Sequence, residues 1–212
     1  MRVLITGANR GIGKALADRY RQAGHDVIAT ARDKSADAVL DVTDPDQHRH
    51  LADALSGQAI DLLVCNAGVY LDKAQTIEGY TPQVWADTFA VNVTGVFLTV
   101  QSLLPNVRAA GGKIAIISSQ MGSDTRAPGG SYVYRASKAA ALNFGRNLAS
   151  DLAGEGIAVG IYHPGWVRTD MGGQTAEIAE GEAAAGLIER FAALSLDTTG
   201  CFETWDGRPH PF

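Results

Sequence analysis

The chain has 212 residues, 46% of them apolar and 19% charged, with a formal net charge of −5. That composition supports a sizeable buried core and excludes a disordered, fibrous or polybasic nucleic-acid-binding protein. No apolar run predicts a membrane span, and strand-like residues from Arg2 leave no space for a secretion signal. Two cysteines, Cys65 and Cys201, make no disulfide framework, so buried thiols and a cytoplasmic location are expected.

Short apolar runs alternate with helical periodicities along the chain. Arg2–Thr6 reads as a buried strand. A helix over Gly11–Ala23 follows and stops at Gly24. Asp26–Thr30 is a second strand and Ala38–Val42 a weaker third. Pro45 sits at a helix start, and that helix runs to about Ser56. Ile60–Cys65 is a fourth strand. Thr81-Pro82 opens a long helix through Leu104, ended by Pro105. Lys113–Ser118 is a fifth strand, Tyr132–Leu152 an alanine-rich helix, and Ile157–Tyr162 a sixth strand. Ala176–Leu194 is a further helix, and Gly200–Glu203 a short last strand. The alternation predicts an α/β fold: a Rossmann-type doubly wound parallel sheet of about seven strands, helices on both faces, in one domain over 1–212.

The first strand leads into Thr6-Gly7-Ala8-Asn9-Arg10-Gly11-Ile12-Gly13. Glycines let the backbone turn sharply and approach a diphosphate. The helix that follows offers free N–H groups and a partial positive charge. The cofactor question falls at the end of the second strand. An acid there accepts from the ribose of NAD, and a cation suits the 2′-phosphate of NADP. Ala31 stands where the acid is expected and Arg32 follows, with Arg10 in reach from the loop. This predicts NADP(H) in preference to NAD(H), with Asp33 as the competing ribose acceptor. Asp41 and Val42 end the third strand beside the adenine, and Asp41 has two open readings: acceptor for the adenine amine, or charge for the next helix. Asn66, Ala67 and Gly68 end the fourth strand, where a ribose can approach. Asn66 has a second reading as a brace for the loop.

Tyr134 and Lys138 are one helical turn apart and share a face. A neighbouring ammonium and a cationic nicotinamide favour phenolate, which would bring a tyrosine into the range of acid–base work. Ser119, ending the fifth strand, is placed to polarise a substrate oxygen. Ser118 competes with it, and Gly122 three residues on favours Ser119. Asn92, polar among apolar residues of the long helix, either holds a water linking Lys138 to solvent or bonds the backbone at a kink.

Thr6–Gly13, Cys65–Gly68, Asn92, Ser119, Tyr134 and Lys138 together resemble the short-chain dehydrogenase/reductases, in their classical subgroup. Tyr132–Asn143, Pro164–Gly173 and Gly200–Phe212 look like the branch of sniffer-type carbonyl reductases and C-factor-like proteins. The resemblance implies an NADP(H)-dependent carbonyl reductase with an Asn92–Ser119–Tyr134–Lys138 tetrad. It implies that Lys138 also holds the nicotinamide ribose. It implies that Pro164, Gly165, Val167 and Thr169 meet the nicotinamide end. It further implies a homodimer or homotetramer through the two long helices. A nucleotide-binding signalling protein with little turnover and an alcohol dehydrogenase are the alternatives.

Two departures bear on the substrate. Ser119 and Tyr134 are separated by more than is usual, the excess falling in Asp124–Gly130. The segment after Pro164-Gly165 is short, where relatives build a lid. An open, weakly selective pocket follows, lined by Gln120, Tyr132, Trp166 and Met171, for a small-molecule carbonyl or alcohol. His48 and His50 lie among polar residues without a tetrahedral set, so a surface position and no metal are expected. His163 is expected to be structural.

Overall fold

The computed structural model describes residues 1–212. Seven strands, β1 (Arg2–Ile5), β2 (Asp26–Ala31), β3 (Ala38–Val39), β4 (Leu62–Cys65), β5 (Lys113–Ile117), β6 (Ala158–His163) and β7 (Phe202–Thr204), form one sheet. Its order is β3-β2-β1-β4-β5-β6-β7, and every pairing is parallel. The order reverses between β1 and β4. In such sheets a crevice opens at the carboxyl ends of the strands that flank this switch.

Six α-helices cover the sheet: α1 (Gly11–Gln22), α2 (Pro45–Ala54), α3 (Pro82–Phe89), α4 (Gly95–Ala110), α5 (Tyr132–Ala153) and α6 (Glu180–Ala193). The strands alternate sides. Val3, Ile5, Leu62 and Val64 face a core closed by Leu16 and Tyr20 of α1 and Leu187 and Phe191 of α6. Leu4, Leu63, Ile114 and Ile116 face the other core, closed by Leu51 of α2, Val100, Leu103 and Val107 of α4 and Leu152 of α5. Burial on both faces explains the unbroken apolar runs of the central strands.

The predicted long helix is real but differently built. After α3 it widens into a π turn over Ala90–Thr94, and α4 runs through Pro105 to Ala110, where Gly111 takes a left-handed conformation. A proline inside a helix removes one N–H bond. Here the flanking Leu103, Asn106 and Val107 are buried, and the Asn106 amide donates to the Leu55 and Gln58 carbonyls, so packing carries the helix past it. The whole stretch Pro82–Ala110 is long and apolar enough by composition to cross a membrane, with a window of mean hydropathy 1.3, contrary to the expectation that no run was. A helix that covers a sheet face is apolar for the same reason as one that faces lipid.

Three other expectations change. The third strand is two residues long. The last helix begins at Glu180, because Ile178 pairs instead with Val167 and exchanges bonds with Trp166 and Arg168; the segment after Pro164 is longer than expected. His48 is buried, its ring Nε2 3.0 Å from the Val42 carbonyl oxygen. Past β7, the final residues fold back along that strand. Thr204 donates to the Arg208 carbonyl and His210 to that of Phe202, and Arg146 rests 4.0 Å from the Phe212 ring centre.

Candidate active site

The turn from β1 into α1 opens a cleft of about 540 Å³ at the switch in strand order. Its walls include Gly7, Asn9–Gly13, Arg32, Asp41, Val42, Asn66–Gly68, Tyr134, Lys138, Pro164 and Thr169. Arg10 is the N-cap of α1 and makes no side-chain cap, so the first N–H groups of the helix are left for a ligand. Gly13 is needed by contact. A Cβ there would lie 2.4 Å from the Gly7 carbonyl oxygen and 2.5 Å from the Asn66 amide nitrogen. That nitrogen donates to the carbonyls of Thr6 and Gly7, at 2.9 and 3.1 Å. The Thr6 hydroxyl accepts from the Asn66 and Ala67 amides. Asn66 therefore braces the loop, and Thr6, inside the motif but not singled out from sequence, is its partner.

Farther along, Arg32 and Asp33 both line the cleft. Arg32 has no carboxylate within ion-pair distance, whereas Asp33 accepts from the Ser35 amide and hydroxyl, which holds its carboxyl below the usual range. Arg10 pairs with Asp170 at 2.7 Å, both side chains exposed. Asp41 accepts from the Thr43 amide and hydroxyl, and it is Asp44 that caps α2.

At the other end stand the groups for proton transfer. Gly122 brings the turn after β5 onto α5: a Cβ there would meet the Lys138 carbonyl carbon at 2.6 Å. Ser119 precedes that turn and its side chain is hydrogen-bonded to that of Tyr134, although Ser118 rather than Ser119 lines the cleft. The Ser118 hydroxyl is spent on the Lys138 carbonyl at 2.9 Å, and the Ser119 hydroxyl accepts from the Met121 amide. Lys138 is buried, and its Nζ donates to the Ile117 carbonyl and lies 5.7 Å from the Tyr134 ring centre. Burial pushes the Lys138 ammonium down to about 8 and the Tyr134 phenol up to about 12. The expected lowering of Tyr134 is thus reversed in the protein by itself, since desolvation outweighs the favourable Ser119 contact.

Asn92 lies in the π turn, fully buried. Its Oδ1 accepts from the Val69 amide at 2.8 Å, and its Nδ2 donates to the Val69 carbonyl and to the Ser137 hydroxyl. The backbone-bonding alternative describes this side chain. Of the other expected residues, Met171 lines the cleft, while Gln120, Tyr132, Trp166, Gly165 and Val167 do not. Gln120 accepts from Arg126, Trp166 donates to the Gly172 carbonyl, and Val167 is buried against Ile178.

Sequence reasoning missed the segment after Gly68. Tyr70 stacks on Tyr134, and the buried Asp72 accepts from the amides of Val133 and Tyr134. An aspartate within an apolar loop segment was the only signal, and it carried no spacing that pointed to α5.

Comparisons with known proteins give a consistent picture. The family model for short chain dehydrogenases matches residues 1–179. A relative from Rhodococcus sp. (strain AD45), 1-hydroxy-2-glutathionyl-2-methyl-3-butene dehydrogenase, is 33% identical, over 97% of this chain and 96% of its own length. NADPH-bound carbonyl reductase from chicken fatty liver superposes with a TM-score of 0.90 at 29% identity, covering 100% of this chain and 98% of that one. Carbonyl reductase Sniffer of D. melanogaster superposes at 0.93 with 25% identity, covering 100% and 99%.

Proposed function

The chain belongs to the short-chain dehydrogenase/reductase family and is an NAD(P)-dependent oxidoreductase, and from that premise we propose that it reduces ketones or aldehydes with NADP(H), Tyr134 donating the proton. One observation carries the proposal: Tyr134 and Lys138 line one end of a cleft whose other end is the glycine turn and Arg32, and the Ser119 side chain is hydrogen-bonded to that of Tyr134.

The dinucleotide, when bound, supplies the hydride. Gly11–Gly13 at the start of α1 would hold its diphosphate, and Arg32 its 2′-phosphate, with Arg10 available once released from Asp170. NADPH on the chicken carbonyl reductase supports that choice. Ser119 orients the substrate oxygen, and Tyr134 gives it a proton from Oη. A phenol held near 12 is fully protonated at neutral pH, which suits it to act as the acid. Lys138 remains largely an ammonium at neutral pH and orients the ribose. Asn92 acts by fixing Val69 and Ser137 around them. Orientation and fixed dipoles provide most of the rate. The same groups run the oxidation of an alcohol, and the name of the Rhodococcus relative supports that second direction.

The test is NADPH oxidation over small and bulky carbonyls, with dissociation constants for NADPH and NADH. Tyr134→Phe should lower turnover by about 100-fold or more while NADPH binding stays within about twofold. Retained turnover would remove Tyr134 as the proton donor. Tighter NADH binding would reverse the cofactor assignment. NADPH binding without oxidation of any carbonyl or alcohol would favour a binding role.

A further inference from the structure

Tyr70 lies flat against Tyr134, ring centres 4.2 Å apart and planes 20° from parallel. Its hydroxyl is hydrogen-bonded to that of Ser131, a left-handed residue immediately before α5. The backbone on either side of it is also fastened. Val69 is gripped through both its N–H and its C=O by the Asn92 amide. Asp72 is fully buried and accepts from the first turn of α5 at 2.9 and 3.3 Å. A ring held by its tip, on a segment fastened at both flanks, cannot leave Tyr134 without breaking the bond to Ser131.

We propose that Tyr70 is a positioning residue for Tyr134: its ring fixes the plane of the phenol and keeps water from one of its faces. The proposal rests on the reading of Tyr134 as proton donor. The groups around that phenol come from three places. Lys138 is on the same helix, with its Nζ directed to the Ile117 carbonyl. Ser119 comes from the turn after β5 and favours the ionised form. Asp72 and Tyr70, from the loop after β4, favour the neutral form, as does burial itself. Removing the Tyr70 ring admits water and takes away one of the groups that oppose ionisation. The phenol should then ionise more easily and be held less well.

Two variants separate the ring from its hydroxyl. Tyr70→Phe keeps the stack and loses only the bond to Ser131. Tyr70→Leu keeps bulk and loses the stack. The pH dependence of kcat is measured with NADPH and 4-nitrobenzaldehyde as the probe. Ring-labelled tyrosine is followed by carbon NMR in the same NADPH complex, with the Tyr134 signal assigned by its loss in Tyr134→Phe. In Tyr70→Leu, kcat at neutral pH should fall about tenfold. Its alkaline limb and the Tyr134 signal should both titrate at least about half a pH unit lower, with NADPH affinity unchanged. Tyr70→Phe, which keeps the ring, should retain more of kcat and shift the titration less than Tyr70→Leu. Identical titration of Tyr134 in the wild type and Tyr70→Leu would overturn the proposal. The NMR readout needs no turnover, so it decides the matter even if Tyr134→Phe proves active and the proton-donor reading fails.

Discussion

His163 shows how one residue reports on the fold around it. It ends β6, beside Pro164, and is buried with no hydrogen-bond partner for Nδ1. Burial pushes its pKa down to about 4, and His210, Arg126 and Arg208 add repulsion. The folded state thus holds a neutral imidazole that the unfolded chain protonates near 6.5. Its contribution is complete above that value and is lost as pH falls toward 4. By pH 5 the loss should reach about 2 kcal/mol. Urea unfolding at pH 7.5 and pH 5 should show this drop in the wild type and a smaller one in His163→Leu. Equal drops would mean that other groups set the acid limb. Its expected structural character fits this environment, although nothing in His163-Pro164 announced an unpaired ring nitrogen.

Helix α5 shows what an element can borrow from a distant loop. Ser131, in the left-handed conformation, makes no side-chain cap. The amides of Val133 and Tyr134 instead reach Asp72, and that of Tyr132 reaches the Tyr80 hydroxyl, which itself donates to Asp72. A buried carboxylate at a helix N-terminus matches both the free N–H groups and the dipole. Asp72→Ala strands two amides and a hydroxyl, and should cost about 2–4 kcal/mol. Faster hydrogen exchange confined to the first turn of α5 would accompany it; unchanged exchange there would show that the cap is dispensable. Where a helix carries local signals, the sequence was legible: Pro82 after Thr81 marked the start of α3, and Thr81 does accept from the Val84 amide. Where a distant group supplies the signal, it was not. Pro105 read as an end because the burial of Asn106 against Leu55 and Gln58 is invisible along the chain. Ala176–Ala179 read as helix because the pairing of Ile178 with Val167 leaves no mark within that stretch.

At the scale of the molecule, the sheet and its helices were readable from alternation alone, since parallel strands must be apolar on both faces. The cleft was readable at its two ends, the glycine turn and the Tyr134–Lys138 pair, because each is local. Contacts between distant segments around it were not, such as Arg10 with Asp170, 160 residues apart. A last consequence concerns the edges of the sheet. On one side β3 is only two residues long. On the other, β7 is shielded by the returning residues 207–212, with Glu203 bridged to Pro209. An open strand edge is a template for another chain. A variant ending at Asp206 should therefore keep its cleft and its nucleotide affinity, yet self-associate. Light scattering at rising protein concentration should detect larger species for that variant before the full chain; equal behaviour would show that β7 needs no cover. The final six residues, far from any chemistry, would then govern how concentrated the protein can become before it adheres to itself.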